Sequence, residues 1–333
     1  TSKYTLDRWE WSESGTPNHV MAVTQSTDAP NGFSNSLKIE TTTGAPYNLD
    51  NERTRPQYKW EGQDLQHLAW GTPNAKEVTL SFWVKSNEVG VYTCHLYAQD
   101  ANRIAVAQYT VNSSATWEYK TITFPANTVD TLPNDNTLAL TLAMYVAVSP
   151  SYTSGTYTTD WQAWNASNSG AGQTASISDT TGLYWQATGV QLEVGSVATP
   201  FEHRSFGEEL AACMRYYQII QEGAGSRDNS GSITVPGEYL IGVGFAYQST
   251  RVMGHYRYIV PMRAIPTGAV SASSDIYCLA TGGAWSAASA VNLRLNDRSA
   301  RLDINGVSLT AGHATEIQIN ANTDGYLEFD AEL

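Results

Sequence analysis

Aromatic rings set among amides and carboxylates are the residues of this chain that most invite a chemical reading. Sugars are held by stacking their C–H faces on flat rings while Asn, Asp and Gln fix the hydroxyls. The long polar segment from Pro150 to Ala175 supplies Tyr152, Tyr157, Trp161 and Trp164, with Asp160, Gln162 and Asn165 between them. Long loops on rigid scaffolds commonly carry binding residues. A second concentration sets Trp60 and Trp70 around Gln63, Asp64 and His67. The plainer reading of both is preferred: large rings mostly end up buried, so Trp161 and Trp164 fold back as a plug over an open end of a sandwich.

Other chemistries lack their signatures. The histidines, His19, His67, His95, His203, His255 and His313, show no H-x-H or HExxH spacing, and none pairs with Cys or Asp at metal-ligand intervals. Neither a G-x-S-x-G elbow, nor a P-loop, nor a dinucleotide fingerprint occurs. Carboxylate pairs for glycoside hydrolysis leave no local motif, so that route stays open, but the chain reads as a non-enzyme. Cys94, Cys213 and Cys278 are too few and too far apart for a disulfide framework and read as small buried hydrophobes of a protein made in a reducing cytosol.

The positions of these residues must be set by β-structure. Only 15 % of the 333 residues are charged and 41 % are apolar, with abundant Thr, Ser, Asn and Gln, a composition that suits sandwich surfaces better than helical bundles. A formal charge of −13 repels polyphosphate, which excludes nucleic acid as a partner. No run approaches the roughly 20 apolar residues that cross a bilayer, and Thr1 opens no leader segment, so no membrane insertion is expected.

Alternation with period two places the strands. Val78, Leu80, Phe82 and Val84 interleave with Thr79, Ser81, Trp83 and Lys85; Leu138 to Val148, Val190 to Val194, and Leu37 with Ile39 repeat the pattern. Turn clusters such as Pro30-Asn31-Gly32 and Gly71-Thr72-Pro73-Asn74 separate them. Residues 1–203 form a first domain. Phe206, Leu210, Cys213, Tyr217 and Ile220 then follow at offsets of four and three, the stripe of an amphipathic helix. Ser205 and Glu208 make a capping box and Gly223 can end the helix, which predicts a linking helix over 204–222. After a flexible Gly/Ser stretch, alternation resumes at Leu293 and Leu295, Leu302 and Ile304, Ile317 and Ile319, and Leu327 and Phe329, a smaller sandwich over 223–333. Asn305-Gly306 signals a hairpin. The fold class is all-β: two jelly-roll-like sandwiches joined by one amphipathic helix.

Several stretches resemble tailed-phage tail-fibre and related virion proteins that carry a jelly roll of the carbohydrate-binding-module type. They are Leu6-Asp7-Arg8-Trp9, Gln25 to Pro30, Thr79 to Ser86, Thr116 to Tyr119 and, most specifically, Thr188 to Gly195 continuing through Ala198-Thr199-Pro200-Phe201-Glu202-His203-Arg204 to Arg215-Tyr216-Tyr217. The match covers most of 1–220 and only loosely 221–333. It implies a virion protein, synthesised in a bacterial host's cytoplasm, that serves architecture or host attachment beside other virion proteins, without catalytic residues.

The resemblance also implies a homotrimer, and the stripe Phe206, Leu210, Cys213, Tyr217 and Ile220 has two readings: it packs against the chain's own sandwiches or, as favoured beside the fibre resemblance, against two symmetry mates as the oligomer contact. Because jelly rolls of this type often hold a structural calcium, Asp28, Asp160 and Glu193 are conceivable ligands. The expected function is multivalent attachment to a host-surface glycan or protein. Two rivals stand beside it: a purely structural capsid or tail decoration, in which Trp161 and Trp164 are buried and no exposed aromatic groove exists, and a carbohydrate-binding module detached from a polysaccharide-degrading enzyme.

Overall fold

The computed structural model describes the chain apart from residues 1, 7, 47–50, 222, 228–232, 238 and 320–324. The chain is all-β, and it divides into two compact units, one over Thr1–His203 and the other over Arg204–Glu332.

The first unit contains β1 (Ser2–Leu6), β2 (Trp9–Ser14), β3 (Val20–Ser26), β4 (Ser36–Thr43), β5 (Arg53–Glu61), β6 (Val78–Ser86), β7 (Gly90–Ala98), β8 (Arg103–Val111), β9 (Glu118–Phe124), β10 (Leu138–Met144), β11 (Ala147–Val148), β12 (Gln162–Ala163) and β13 (Tyr184–Val194). They form an eight-stranded sheet in the order β1-β2-β5-β10-β7-β8-β12, with β11 also on β5, and a five-stranded sheet in the order β3-β4-β13-β6-β9. The inward half of each alternating run makes the core: Val78, Leu80, Phe82 and Val84 of one sheet meet Tyr92, Cys94, Leu96, Leu140 and Leu142 of the other. Trp185 is fully buried among them, its indole N–H donating to Tyr109 Oη at 3.0 Å. Between β11 and β13 the long loop is pinned by two single-turn helices, α1 (Pro150–Thr153) and α2 (Ala166–Ser169).

The second unit opens with α3 (Phe206–Met214). The capping box is present: Ser205 Oγ accepts from the Glu208 N–H, and the Glu208 carboxylate accepts from the Ser205 N–H at 3.0 Å. The helix is shorter than the stripe predicts. Arg215 ends it, and Tyr217–Gln221 is a strand paired antiparallel with Tyr326–Asp330, Ile220 lying opposite Leu327. The reason lies in Tyr216, Gln218 and Ile220, which are all buried and recur with period two, so β-branched and aromatic residues that meet the helical offsets by coincidence pack better on a pleated surface. Gln218, buried in that strand, is satisfied by donating to the Met214 and Val260 carbonyls. Gly223 belongs to a further strand, Gly223–Arg227, instead of ending a helix, and residues 228–232 of the Gly/Ser stretch lie outside the described residues.

The rest of the unit is a seven-stranded sheet that includes Tyr239–Gln248, Arg251–Arg257, Ser299–Asn305 and Ala314–Ile319, over a core of Val252, Leu302, Ile304, Ile317, Leu327 and Phe329. Gly306 takes the positive φ that its hairpin signal requires, at 75°. The expected second arm of the hairpin does not form, because Val307 to Thr310 leaves the sheet and Leu309 N–H bonds the Ser249 carbonyl instead.

Candidate functional site

The loop residues expected to hold a sugar do not form one surface. Tyr152 is buried against Tyr145 and Val148. Trp161 lies edge-on to the buried Trp70 at 4.9 Å and donates its indole N–H to the Pro125 carbonyl at 2.8 Å, so it packs as a plug. Trp70 is itself fixed by a bond to the Lys76 carbonyl at 2.9 Å, and Trp60 packs toward the core beside Tyr58. Asn165 caps α2, its side chain accepting from the Ser167 N–H. Tyr157, Asp160 and Trp164 remain exposed on the loop. The aromatic residues of this segment thus divide between packing and display.

A more coherent aromatic surface lies on the outer face of the five-stranded sheet. The inward positions of β6 are Val78, Leu80, Phe82 and Val84, so Trp83 and Lys85 point outward, and Trp83 lies directly opposite Tyr119 of β9. The Trp83 and Tyr119 rings stand 5.3 Å apart, tilted by 50°. Asp28 fixes the neighbouring corner by accepting from the Trp117 indole N–H at 3.1 Å and from Lys85 Nζ at 2.7 Å. The Lys85 bond is the first cause that holds the Asp28 carboxyl below the usual carboxylate range. Glu118, next to this corner, is raised by burial, but Lys120 and the Ser113 and Asn112 donors outweigh that and hold it at about 2.

On the other side of Trp83 the sheet carries Thr188 and a bulge at Gly189. A Cβ at Gly189 would fall 2.5 Å from the Phe33 ring, and φ there is 61°, so only glycine lets Phe33 settle. Phe33, Phe201 and His203 form a three-ring cluster with centroids 5.0–5.3 Å apart. The Glu202 N–H bonds Gln191, which holds the cluster beside the sheet. Rings with amide, hydroxyl and charged groups alongside are what a sugar-stacking surface needs. The signal was present in the sequence, because Trp83 occupies the polar register of its strand, in line with Thr79, Ser81 and Lys85.

The three carboxylates expected to ligate calcium do not converge. Asp28 is taken by Lys85 and Trp117, while Glu193 accepts from the hydroxyl and N–H of Thr199. No group of three or more His, Cys, Asp or Glu side chains with metal-binding geometry occurs among the described residues. Of the expected trimer stripe, Phe206 is 81 % exposed and Leu210 is exposed, Cys213 is half-buried, and Tyr217 and Ile220 have left the helix; Ile220 is in the unit's core.

No protein-family model matches the chain, and no curated protein matches it. Among solved structures, 57 % of the chain is similar to the enzymatically active domain of bacteriophage CBA120 tailspike protein 4, at 13 % identity and a TM-score of 0.34, and spans 20 % of that chain. The family 11 carbohydrate-binding module of Clostridium thermocellum, solved with a β-1,3-1,4-mixed-linked tetrasaccharide, is similar over 59 % of this chain and 93 % of its own, at 11 % identity and a TM-score of 0.31. The tandem CBM22-1–CBM22-2 domains of Paenibacillus barcinonensis Xyn10C are similar over 96 % and 91 %, at 11 % identity and a TM-score of 0.28. Likenesses this distant assign neither ligand nor reaction to the chain.

Proposed function

We propose that the chain is a non-catalytic glycan-binding component of a tailed-phage virion, a fibre or receptor-binding protein that attaches to host-surface polysaccharide. The observation that carries the reading is the outward pairing of Trp83 with Tyr119 beside the Asp28–Trp117–Lys85 corner. A sugar ring stacks on the two aromatic faces and its hydroxyls meet the flanking side chains. Each such contact is weak, and three copies on one fibre raise the effective concentration without any new contact. The copies associate through α3, none of whose residues is buried and whose Phe206 and Leu210 face outward.

Fluorescently labelled protein should bind host cells and lose that binding when surface polysaccharide is stripped enzymatically. The double variant Trp83→Ala/Tyr119→Ala should stay folded and bind at least roughly tenfold more weakly, since a stacked ring contributes about 1–3 kcal/mol. Full binding by that variant would overturn the assignment of the surface. Light scattering should give a trimer for the native chain and folded monomers for Phe206→Asp/Leu210→Asp. A native monomer would overturn the multivalent mechanism.

A further inference from the structure

The outer face of the seven-stranded sheet carries an apolar strip without cover. In Tyr239–Gln248 the small Gly244 and Ala246 turn toward the core, which leaves Val243 64 % and Phe245 51 % exposed, with Tyr247 exposed beyond them. Phe245 lies between Met253 on one neighbouring strand and Ala314 on the other, so two more apolar side chains widen the strip. Arg251, His255 and Arg257 share that face with Met253, because Val252 between them is in the core, and all three are exposed. Arg251–Arg257 contains no carboxylate, and the guanidinium groups of Arg251 and Arg257 make no hydrogen bond or ion pair among the described residues. Two acids face the area from other strands. Asp303 is held by Arg294 and Arg301, and Glu316 stands on the far side of the strip, opposite Val243.

The same unit leaves α3 uncovered. Phe206 and Leu210 are exposed four residues apart, and Glu209 lies on their face of the helix. Glu208 and Glu209 are the charges of α3, which carries no cation. Glu208 is used in the capping box, whereas Glu209 has a loose pair with Arg204 at 3.6 Å, both side chains exposed. The two surfaces match in spacing and in charge. Four residues of helix advance about 6 Å and two residues of strand about 6.6 Å. A helix laid along the strip therefore seats Phe206 and Leu210 between Val243, Phe245 and Tyr247, with the Glu209 edge toward Arg251 and Arg257 and away from Glu316. The chain's own α3 does not fill the strip, since Phe206 and Phe245 are both exposed in the single chain.

We infer that α3 of one copy docks on the 243–247 strip of the next, a head-to-tail contact in which unlike patches meet. The inference rests on the trimer reading and names the surface that receives the helix. Contacts of this kind close into a ring when the rotation permits, and in a ring of three every strip and every α3 is covered. Exposed apolar patches of this sort mark such contacts.

Light scattering on the full chain tests it through the strip, which lies apart from α3 and from the Trp83 surface. Val243→Asp/Phe245→Asp should give folded monomers and raise the protein concentration needed for assembly at least roughly tenfold. Arg251→Glu/Arg257→Glu should weaken assembly, and Glu209→Arg added to it should restore the trimer, which keeps the test open if the first variant fails to fold. A trimer that survives Val243→Asp/Phe245→Asp overturns this inference while the contact through α3 stands. Charge reversal that leaves assembly unchanged, or that Glu209→Arg does not repair, overturns it as well. A native monomer overturns the trimer reading and this inference together.

Discussion

The two units cover comparable sandwich cores but leave different residues outside. The first draws its largest rings inward: Trp185, Tyr92 and Phe82 are all fully buried, and one group of its outward aromatics, Trp83, Trp117 and Tyr119, lies beside charged partners. The second has fewer rings in its core and leaves apolar side chains in line on its surface. Val243, Phe245 and Tyr247 are all exposed at alternate positions of one strand, and Phe206 and Leu210 are exposed on α3. A mixed aromatic and polar surface suits a wet, weakly held ligand, whereas an apolar strip suits a partner that stays. The proposed division of labour, sugar on the first unit and assembly on the second, follows from that contrast.

The contrast is tested most forcefully at the core. Trp185→Ala removes the largest fully buried side chain of the first unit together with its bond to Tyr109, and should cost about 3–5 kcal/mol. Calorimetry should show the first unit melting earlier while the transition of the second is unchanged; a common shift would mean that the units do not unfold separately. In the second unit Gly254→Ala places a Cβ 2.3 Å from Ile317 Cδ1 and should cost about 1–3 kcal/mol, with the reverse selectivity between transitions. Adding Ile317→Val should recover part of that loss.

Acid should weaken the first unit through His95. Burial, then the charge of Arg55, push its pKa from 6.5 down to about 3, and it contacts the Ser169 carbonyl as a neutral ring. A lowered folded-state pKa means that the stabilisation is complete above 6.5 and is lost as pH falls toward 3. The melting temperature of the first unit should therefore fall more steeply between about pH 6.5 and about pH 5 in the native chain than in His95→Gln. The smallest effect expected is at the edge of the aromatic surface. Glu118→Gln removes a carboxylate that accepts from Lys120 and from the Asn112 and Ser113 donors, and should cost about 1 kcal/mol at neutral pH. Since the Glu118 carboxyl is held at about 2, the difference from the native chain should vanish only as pH falls below the ordinary 4.5.

Strand positions were legible because burial on one face writes a period of two into the sequence, as at Val78–Val84 and Ile317–Ile319. The capping box was legible because it is local chemistry between Ser205 and Glu208. The end of α3 was not, since offsets of four and three also fit Cys213, Tyr217 and Ile220, and the pairing of Tyr217–Gln221 with a strand about a hundred residues later is a tertiary fact. The same limit explains the site. The Trp161 segment stood out by composition, but its ring turns toward Trp70, some ninety residues away in sequence. Trp83 and Tyr119 come together only through the β6–β9 register.

The Lys85–Asp28–Trp117 corner offers a chemical reporter. Every lysine of the chain lies at or before Lys120, and Lys85 is the one whose amine bonds Asp28 beside the Trp83 surface. Acylation of that amine competes with anything seated over Trp117. Mass-spectrometric amine footprinting of the protein, with and without added glycan, would then report occupancy of the surface at Lys85 without a prior substitution.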